Sequence, residues 1–236
     1  YNSGWTLVNG DWTLENQNSY PVLPFDKREI MRQFVSYAVG CMFGRYSLDK
    51  EGLILANQGE TLSDYFKKLE LSEAEVQFTP DDDAIIPVLD DEWFEDDIAS
   101  QFRNFLRASF GRENFEQNLR FVEECLGRNI RDYFLKDFYD DHIKRYQKRP
   151  IYWLFSSASG SFNVLVYMHR YNKDTLNLIY NNYLMDYKAK LNNAIKHQQL
   201  LQTNGTAREQ TLAIKEEARI SKVLVELSEY EKDLYK

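Results

Sequence analysis

Apolar residues recur every three or four positions through most of this chain, the spacing that buries one face of a helix. After Asp26 the positions Ile30, Phe34, Tyr37, Ala38 and Cys41 keep that spacing, and Glu29 three residues beyond Asp26 marks a capping box at the start. Gly40 and Gly44 allow a neighbour to pack closely, and Gly44 is placed to end the helix. The pattern predicts a short helix over 62–69, a turn or short helix from Ser72, and further helices over 93–106 and 114–138, with Gly111 between these two and Gly127 a weak point. From residue 174 the stripe runs through Leu176, Tyr180, Tyr183, Tyr187, Leu191, Ala194, Gln198 and Leu201 to a stop at Gly205. Thr206 and Glu209 form a second capping box, and Ile220, Leu224, Leu227, Tyr230 or Glu231, and Leu234 continue the pattern. Two long helices joined by Thr203-Asn204-Gly205 make an antiparallel helical hairpin.

One stretch breaks the helical period. Residues 149–172 hold two dense apolar runs, 151–155 and 162–168, that are short, aromatic and β-branched, with Pro150 ahead of them and a small polar spacer at 156–161 between them. Such runs suit two buried strands joined by a loop around Gly160, too long for a two-residue turn. The fold expected is mainly α with a small β-hairpin: a helical domain followed by a long antiparallel helical hairpin. Residues 1–25, with turn signals at Asn9-Gly10-Asp11 and 16–18, read as an extended lead-in from a preceding domain. Residues 26–148 read as the helical domain, 149–172 as the β-hairpin and 173–236 as the helical hairpin.

Composition narrows the function classes. A chain of 236 residues can bury a sizeable core, and its 16 Tyr, 15 Phe and 4 Trp point to a globular protein. A formal net charge of −8 argues against a free-standing nucleic-acid binder held by a global basic field. Two distant cysteines, Cys41 and Cys125, without metal-like spacing favour a reducing, cytoplasmic setting. No apolar run approaches the roughly 18 residues a membrane span needs, so no membrane partner is expected. The chain opens on Tyr1 and ends within a helical pattern, which reads as a piece of a longer polypeptide.

Two charged stretches carry candidate chemistry. Residues 80–101 hold nine acidic and no basic residues. Clustered carboxylates suit Ca²⁺ or Mg²⁺, but the calcium-loop order of acids is absent, and a solvated linker or the acidic start of a helix explains them as well. Lys144-Arg145-Tyr146-Gln147-Lys148-Arg149 is the dense basic run. It suits a phosphate backbone, or simply the C-terminal end of a helix. Elsewhere His142, His169 and His197 lack zinc spacing, Ser159-Gly160-Ser161 lacks the first glycine of a nucleophile elbow, and no phosphate-binding glycine loop occurs. These residues assign no catalytic, cofactor-binding or metal site.

Two segments go beyond composition. Residues 34–49 (FVSYAVGCMFGRYSLD), followed by Gly52-Leu53, closely resemble a segment of the PglX-type adenine-specific DNA methyltransferases of BREX phage-defence systems. So do residues 148–157 (KRPIYWLFSS), with Gly160-Ser161-Phe162 and residues 167–172 (YMHRYN). In that family both segments lie downstream of the methyltransferase core. The resemblance implies a parent enzyme that uses S-adenosylmethionine to methylate the exocyclic amine of adenine in DNA. The family's cofactor loop and N-P-P-[YF] motif do not occur here, so neither catalytic residues nor the cofactor are carried over to this chain. What is carried over is a location in or beside the sequence-recognition part, where a duplex with an extruded base must be gripped.

The expectation is therefore a non-catalytic piece that positions DNA or braces the target-recognition part, with Lys144, Arg145, Lys148, Arg149, Ser156, Ser157, Ser159, Ser161 and Arg170 as candidate DNA contacts. The basic residues at its two ends single out the 156–161 loop of the hairpin. The rival is a scaffold whose helical hairpin docks another defence-system protein. An independent hydrolase has no motif behind it.

Overall fold

The computed structural model describes residues 26–234 and, ahead of them, the backbone of two short strands. These strands, β1 (Trp5–Val8) and β2 (Asp11–Leu14), pair antiparallel with Val8 opposite Asp11. They fall within the stretch expected to be an extended lead-in, the remainder of which lies outside the described residues. Asn-Gly between two short runs is itself a hairpin signal.

Local capping fixes the helix starts. In α1 (Lys27–Met42) the Asp26 carboxylate accepts the Glu29 N–H at 3.0 Å, while the Glu29 side chain accepts from Gln33 and Arg145 instead of closing the box. Gly44 leaves the helix at φ 74°, and the chain folds back so that a Cβ on Gly40 would lie 2.3 Å from the Tyr46 ring. Thr61 and Asp64 cap α2 (Leu62–Leu69) reciprocally. Helix α3 (Ile98–Phe110) starts later than the spacing predicts, because Asp97 is its cap and accepts from the N–H groups of Ala99 and Ser100, each at 3.1 Å. Helix α4 (Phe115–Leu126) ends at Gly127, φ 71°. Helix α5 (Ile130–Tyr133) then runs through a π-helical turn, Phe134–Phe138, into α6 (Tyr139–Arg145).

The two expected strands, β4 (Tyr152–Ser156) and β5 (Asn163–Tyr167), pair antiparallel with Trp153 opposite Val166. A third strand, β3 (Ile85–Pro87), emerges from the acidic stretch and pairs with the other side of β5, giving the order β3-β5-β4. Its proline is tolerated because β3 is an edge strand. The sheet divides two cores. Ile86, Leu165, Tyr152 and Tyr167 face the helical layer of α1 and α3–α6, whereas Ile85, Val164 and Val166 face the C-terminal helices. Burial of both faces explains why β5 reads as a continuous apolar run rather than an alternating one.

The carboxylates of the acidic stretch are drawn into this architecture. Asp81 and Asp83 accept the Ile85 N–H at 3.1 and 2.9 Å, and the Tyr183 hydroxyl lies 3.0 Å from Asp83 and 2.8 Å from Asp96. Burial pushes all three acids up from the usual carboxylate range. One phenol proton cannot serve two carboxylates, so the Tyr183 hydroxyl donates to one of them at a time. Among the described residues no group of three His, Cys, Asp or Glu is arranged to hold a metal ion.

Helix α7 (Thr175–Leu178) passes through a π-helical stretch, Ile179–Leu184, into α8 (Met185–Asn204), which pairs with α9 (Ala207–Leu234) as the expected hairpin. The π stretch shifts the buried stripe: Ile179, Tyr183, Leu184, Tyr187 and Leu191 face inward, whereas Leu176 is exposed. No described helix is long and apolar enough to cross a membrane.

Candidate nucleic-acid interface

Helix α6 delivers the basic run to the surface. It ends in a tight reversal in which Tyr146 N donates to His142 O at 3.0 Å and Lys148 N to Ile143 O at 2.9 Å. Gln147 and Lys148 take left-handed conformations, φ 51° and 65°, unusual for side chains with a Cβ. Lys144, Arg145, Lys148 and Arg149 are all exposed on this turn. Arg145 is paired with Glu29 at 2.9 Å. Lys144, Lys148 and Arg149 have no side-chain hydrogen bond or ion pair with any described residue, so the turn presents charge not neutralised from within.

His142 ties the turn to β4. Its Nε2 accepts from the N–H groups of Ile151 and Tyr152, each at 3.2 Å, which requires a neutral ring with its proton on Nδ1. The ring is 2 % exposed and lies 4.6 Å from Tyr146 and 4.7 Å from Tyr152 between centroids. Burial, then the charges of Arg145 and Arg45, push its pKa down to about 4. The Nδ1–H has no partner in the structure.

The serine loop is engaged by the protein itself. Ser157 is buried; its N–H donates to Phe162 O at 2.9 Å and its hydroxyl accepts from Phe162 N at 3.0 Å. Glu226 of α9 reaches into the loop and accepts from Ser159 N at 2.7 Å and from the Ser159 hydroxyl, which also lies 3.0 Å from the Ser161 hydroxyl. Burial alone would raise the Glu226 carboxyl, but hydrogen bonds from Ser157, Ser159 and Ser161 outweigh it and hold the pKa at about 2. A carboxylate of the chain itself thus engages the loop offered as a DNA contact. Ser156 turns its hydroxyl to Ser157 O at 3.0 Å.

Arg170 is committed to the interior. It is buried, and its guanidinium donates to the carbonyl oxygens of Asp81 at 2.7 Å and Asp82 at 2.5 Å, tying the end of β5 to the acidic stretch. Sequence shows an Arg beside a strand end but not which way it turns. The structure therefore gathers Lys144, Arg145, Lys148 and Arg149 on one turn and separates them from the rest of the expected set. The loop lies at the far end of β4, about 17 Å away at 3.3–3.4 Å per residue.

Two residues outside the expected set lie beside the turn. Trp153 is 49 % exposed on β4, four residues beyond Arg149. Arg45 sits half-buried against the rings of Tyr46, Tyr146 and Tyr167, its Nη1 3.2 Å from the Tyr167 hydroxyl. The two segments that carry the family resemblance meet here, Arg45 and Tyr46 from one and Tyr152 and Tyr167 from the other.

No family model matches the chain. Among curated proteins it is 40 % identical over 178 residues to the adenine-specific methyltransferase BrxX of Escherichia coli O9:H4 (strain HS), an alignment covering 70 % of this chain and 14 % of that protein. It is 36 % identical over 219 residues to the adenine-specific methyltransferase PglX of Lacticaseibacillus casei (strain Zhang), covering 86 % of this chain and 17 % of that protein. The chain spans less than a fifth of the length of either relative. Over most of its length, the chain is homologous to one segment of the PglX-type adenine-specific methyltransferases.

Proposed function

We propose that this chain is a non-catalytic part of an adenine-specific DNA methyltransferase of a phage-defence system, acting in the cytoplasm to hold the DNA or to brace the part that recognises the target. The observation that carries this reading is the exposed turn of Lys144, Lys148 and Arg149, three cations without a counter-ion among the described residues, in a chain related to methyltransferases that act on adenine. Cations left unneutralised by their own fold are available to phosphates. Such contacts position a duplex without reading its sequence. Arg145, already paired with Glu29, is a weaker contributor.

The methyl transfer itself belongs elsewhere in this reading. The sheet described here is antiparallel, three strands wide and covered on both faces, and it lacks the open crevice at the ends of parallel strands that suits a nucleoside cofactor. In this reading the described residues do not hold S-adenosylmethionine, and no methyl-transfer step is assigned to them. In the longer enzyme, Lys148→Ala combined with Arg149→Ala is expected to raise KM for duplex DNA several-fold while leaving kcat and affinity for the cofactor unchanged. An unchanged KM would remove the turn from DNA binding.

A second reading rests on a separate observation. Leu200, Leu212 and Ile214, all more than half exposed, lie in the half of the α8–α9 hairpin nearest its tip, Leu212 and Ile214 on different faces of α9. A hairpin with exposed apolar residues near its tip suits docking of another protein of the defence system. If it serves only that role, the KM for DNA will not respond to the turn variants.

A further inference from the structure

Arg45 is held rigidly but left chemically incomplete. Gly44, at φ 74°, turns the chain out of α1; Arg45 N donates to Gly40 O at 2.8 Å, and Arg45 O accepts from Ile54 N at 2.9 Å. The Tyr167 hydroxyl gives its own proton to Leu55 O at 2.6 Å, so toward Arg45 Nη1 it presents a lone pair. The guanidinium carbon stands 5.6 Å from the centre of the Tyr46 ring. Five N–H donors are available on this group, and phenols satisfy only a few of them. Among the described residues the buried Nε–H has no acceptor, and no carboxylate forms an ion pair with Arg45. The Nε–H is buried and Nη1 already meets Tyr167, so the donors left for an outside anion are the remaining Nη N–H groups of the guanidinium fork, which suit a carboxylate or phosphate oxygen. Arg45 and Arg145 both act on the His142 ring, and Arg45 also touches Tyr146, the residue inside the basic turn. The guanidinium, part-exposed, therefore lies next to the turn.

We propose that Arg45 is the seat for one phosphodiester of the DNA backbone, walled by Tyr46 and Tyr146 at the inner edge of the Lys144–Arg149 turn. This rests on the reading that the turn meets DNA. The flanking phosphates fall to Lys148 and Arg149, and the seated one fixes the register of the duplex on this surface.

The test is duplex binding by the full chain as a function of salt, for the wild type, Arg45→Met, Arg45→Lys and the double variant Lys148→Ala/Arg149→Ala. Loss of one phosphate contact is expected to flatten the slope of log Kobs against log[salt] by about 0.9 in Arg45→Met. Arg45→Lys keeps the charge and the slope but binds more weakly, because the fork is lost. A purely structural arginine would change affinity without changing the slope. Should Arg45→Met fail to fold, the Nε–H resonance of Arg45 in the wild type decides: the proposal expects it to shift on adding duplex. If that resonance and the slope both ignore Arg45 while the double variant still flattens the slope, Arg45 is structural and the turn keeps its role. A shift with inorganic phosphate but none with duplex also overturns the proposal. No duplex binding by any form would bring down both readings together.

Discussion

At the scale of single residues, a few buried polar groups connect parts of the chain far apart in sequence. Asp97 is 1 % exposed, caps α3, and receives both ends of the Arg131 guanidinium at 2.8 Å, while Arg131 also donates to Leu89 O. Removing one member leaves a buried charge without its partner. Asp97→Ala is therefore expected to lower stability by about 3–5 kcal/mol, read from urea unfolding; a loss below about 1 kcal/mol would contradict this assignment. His142 supplies a pH dependence. Its pKa falls on folding from 6.5 to about 4, so its contribution is fully present above pH 6.5 and is lost as the pH drops toward 4. The span corresponds to roughly 3 kcal/mol. The wild type should lose stability between pH 7 and pH 4.5 by more than His142→Gln does, and parallel pH profiles would rule the histidine out as the cause. Sequence showed these residues but not their roles. Capping is local, so Asp26 and Thr206 could be read directly, whereas the direction of Arg170 depends on carbonyls nearly ninety residues away.

At the scale of elements, the helical hairpin and the strand pair were legible because their periods differ, 3.6 against 2, over long enough runs. Strand β3 was not, since a short apolar stretch interrupted by Pro87 inside an acidic run looks like a break in a linker. The π-helical stretch at Ile179–Leu184 was hidden for a related reason: a one-residue slip changes which side chains are buried without changing composition. The Glu226 clamp could not be read at all, because it joins α9 to a loop 67 residues earlier in the chain. This clamp fastens the hairpin to the sheet. With Glu226→Gln, amide hydrogen exchange should quicken around residues 157–162 and in the adjoining turns of α9, while the hairpin tip exchanges as before. The depressed carboxyl means the clamp holds above the usual carboxylate range and weakens as pH falls toward 2. Unchanged exchange in the loop would show that the carboxylate is not what holds it.

At the scale of the whole molecule, a net charge of −8 conceals a surface divided by sign. The acids of residues 80–101 are turned partly inward against Arg170 and Tyr183, and the α6–β4 turn presents Lys144, Lys148 and Arg149 with no ion pair among the described residues. An acidic chain can then carry a local DNA contact, and its binding should be weak and strongly dependent on salt. In the proposed role the turn of Lys144, Lys148 and Arg149 meets the DNA backbone. The most direct measurement is duplex affinity across a salt series for the wild type and for Lys148→Ala/Arg149→Ala. The wild type should bind at low salt with a negative slope, and loss of two phosphate contacts should flatten that slope by about 1.8. A wild type that does not bind at low salt, or two parallel slopes, would contradict it.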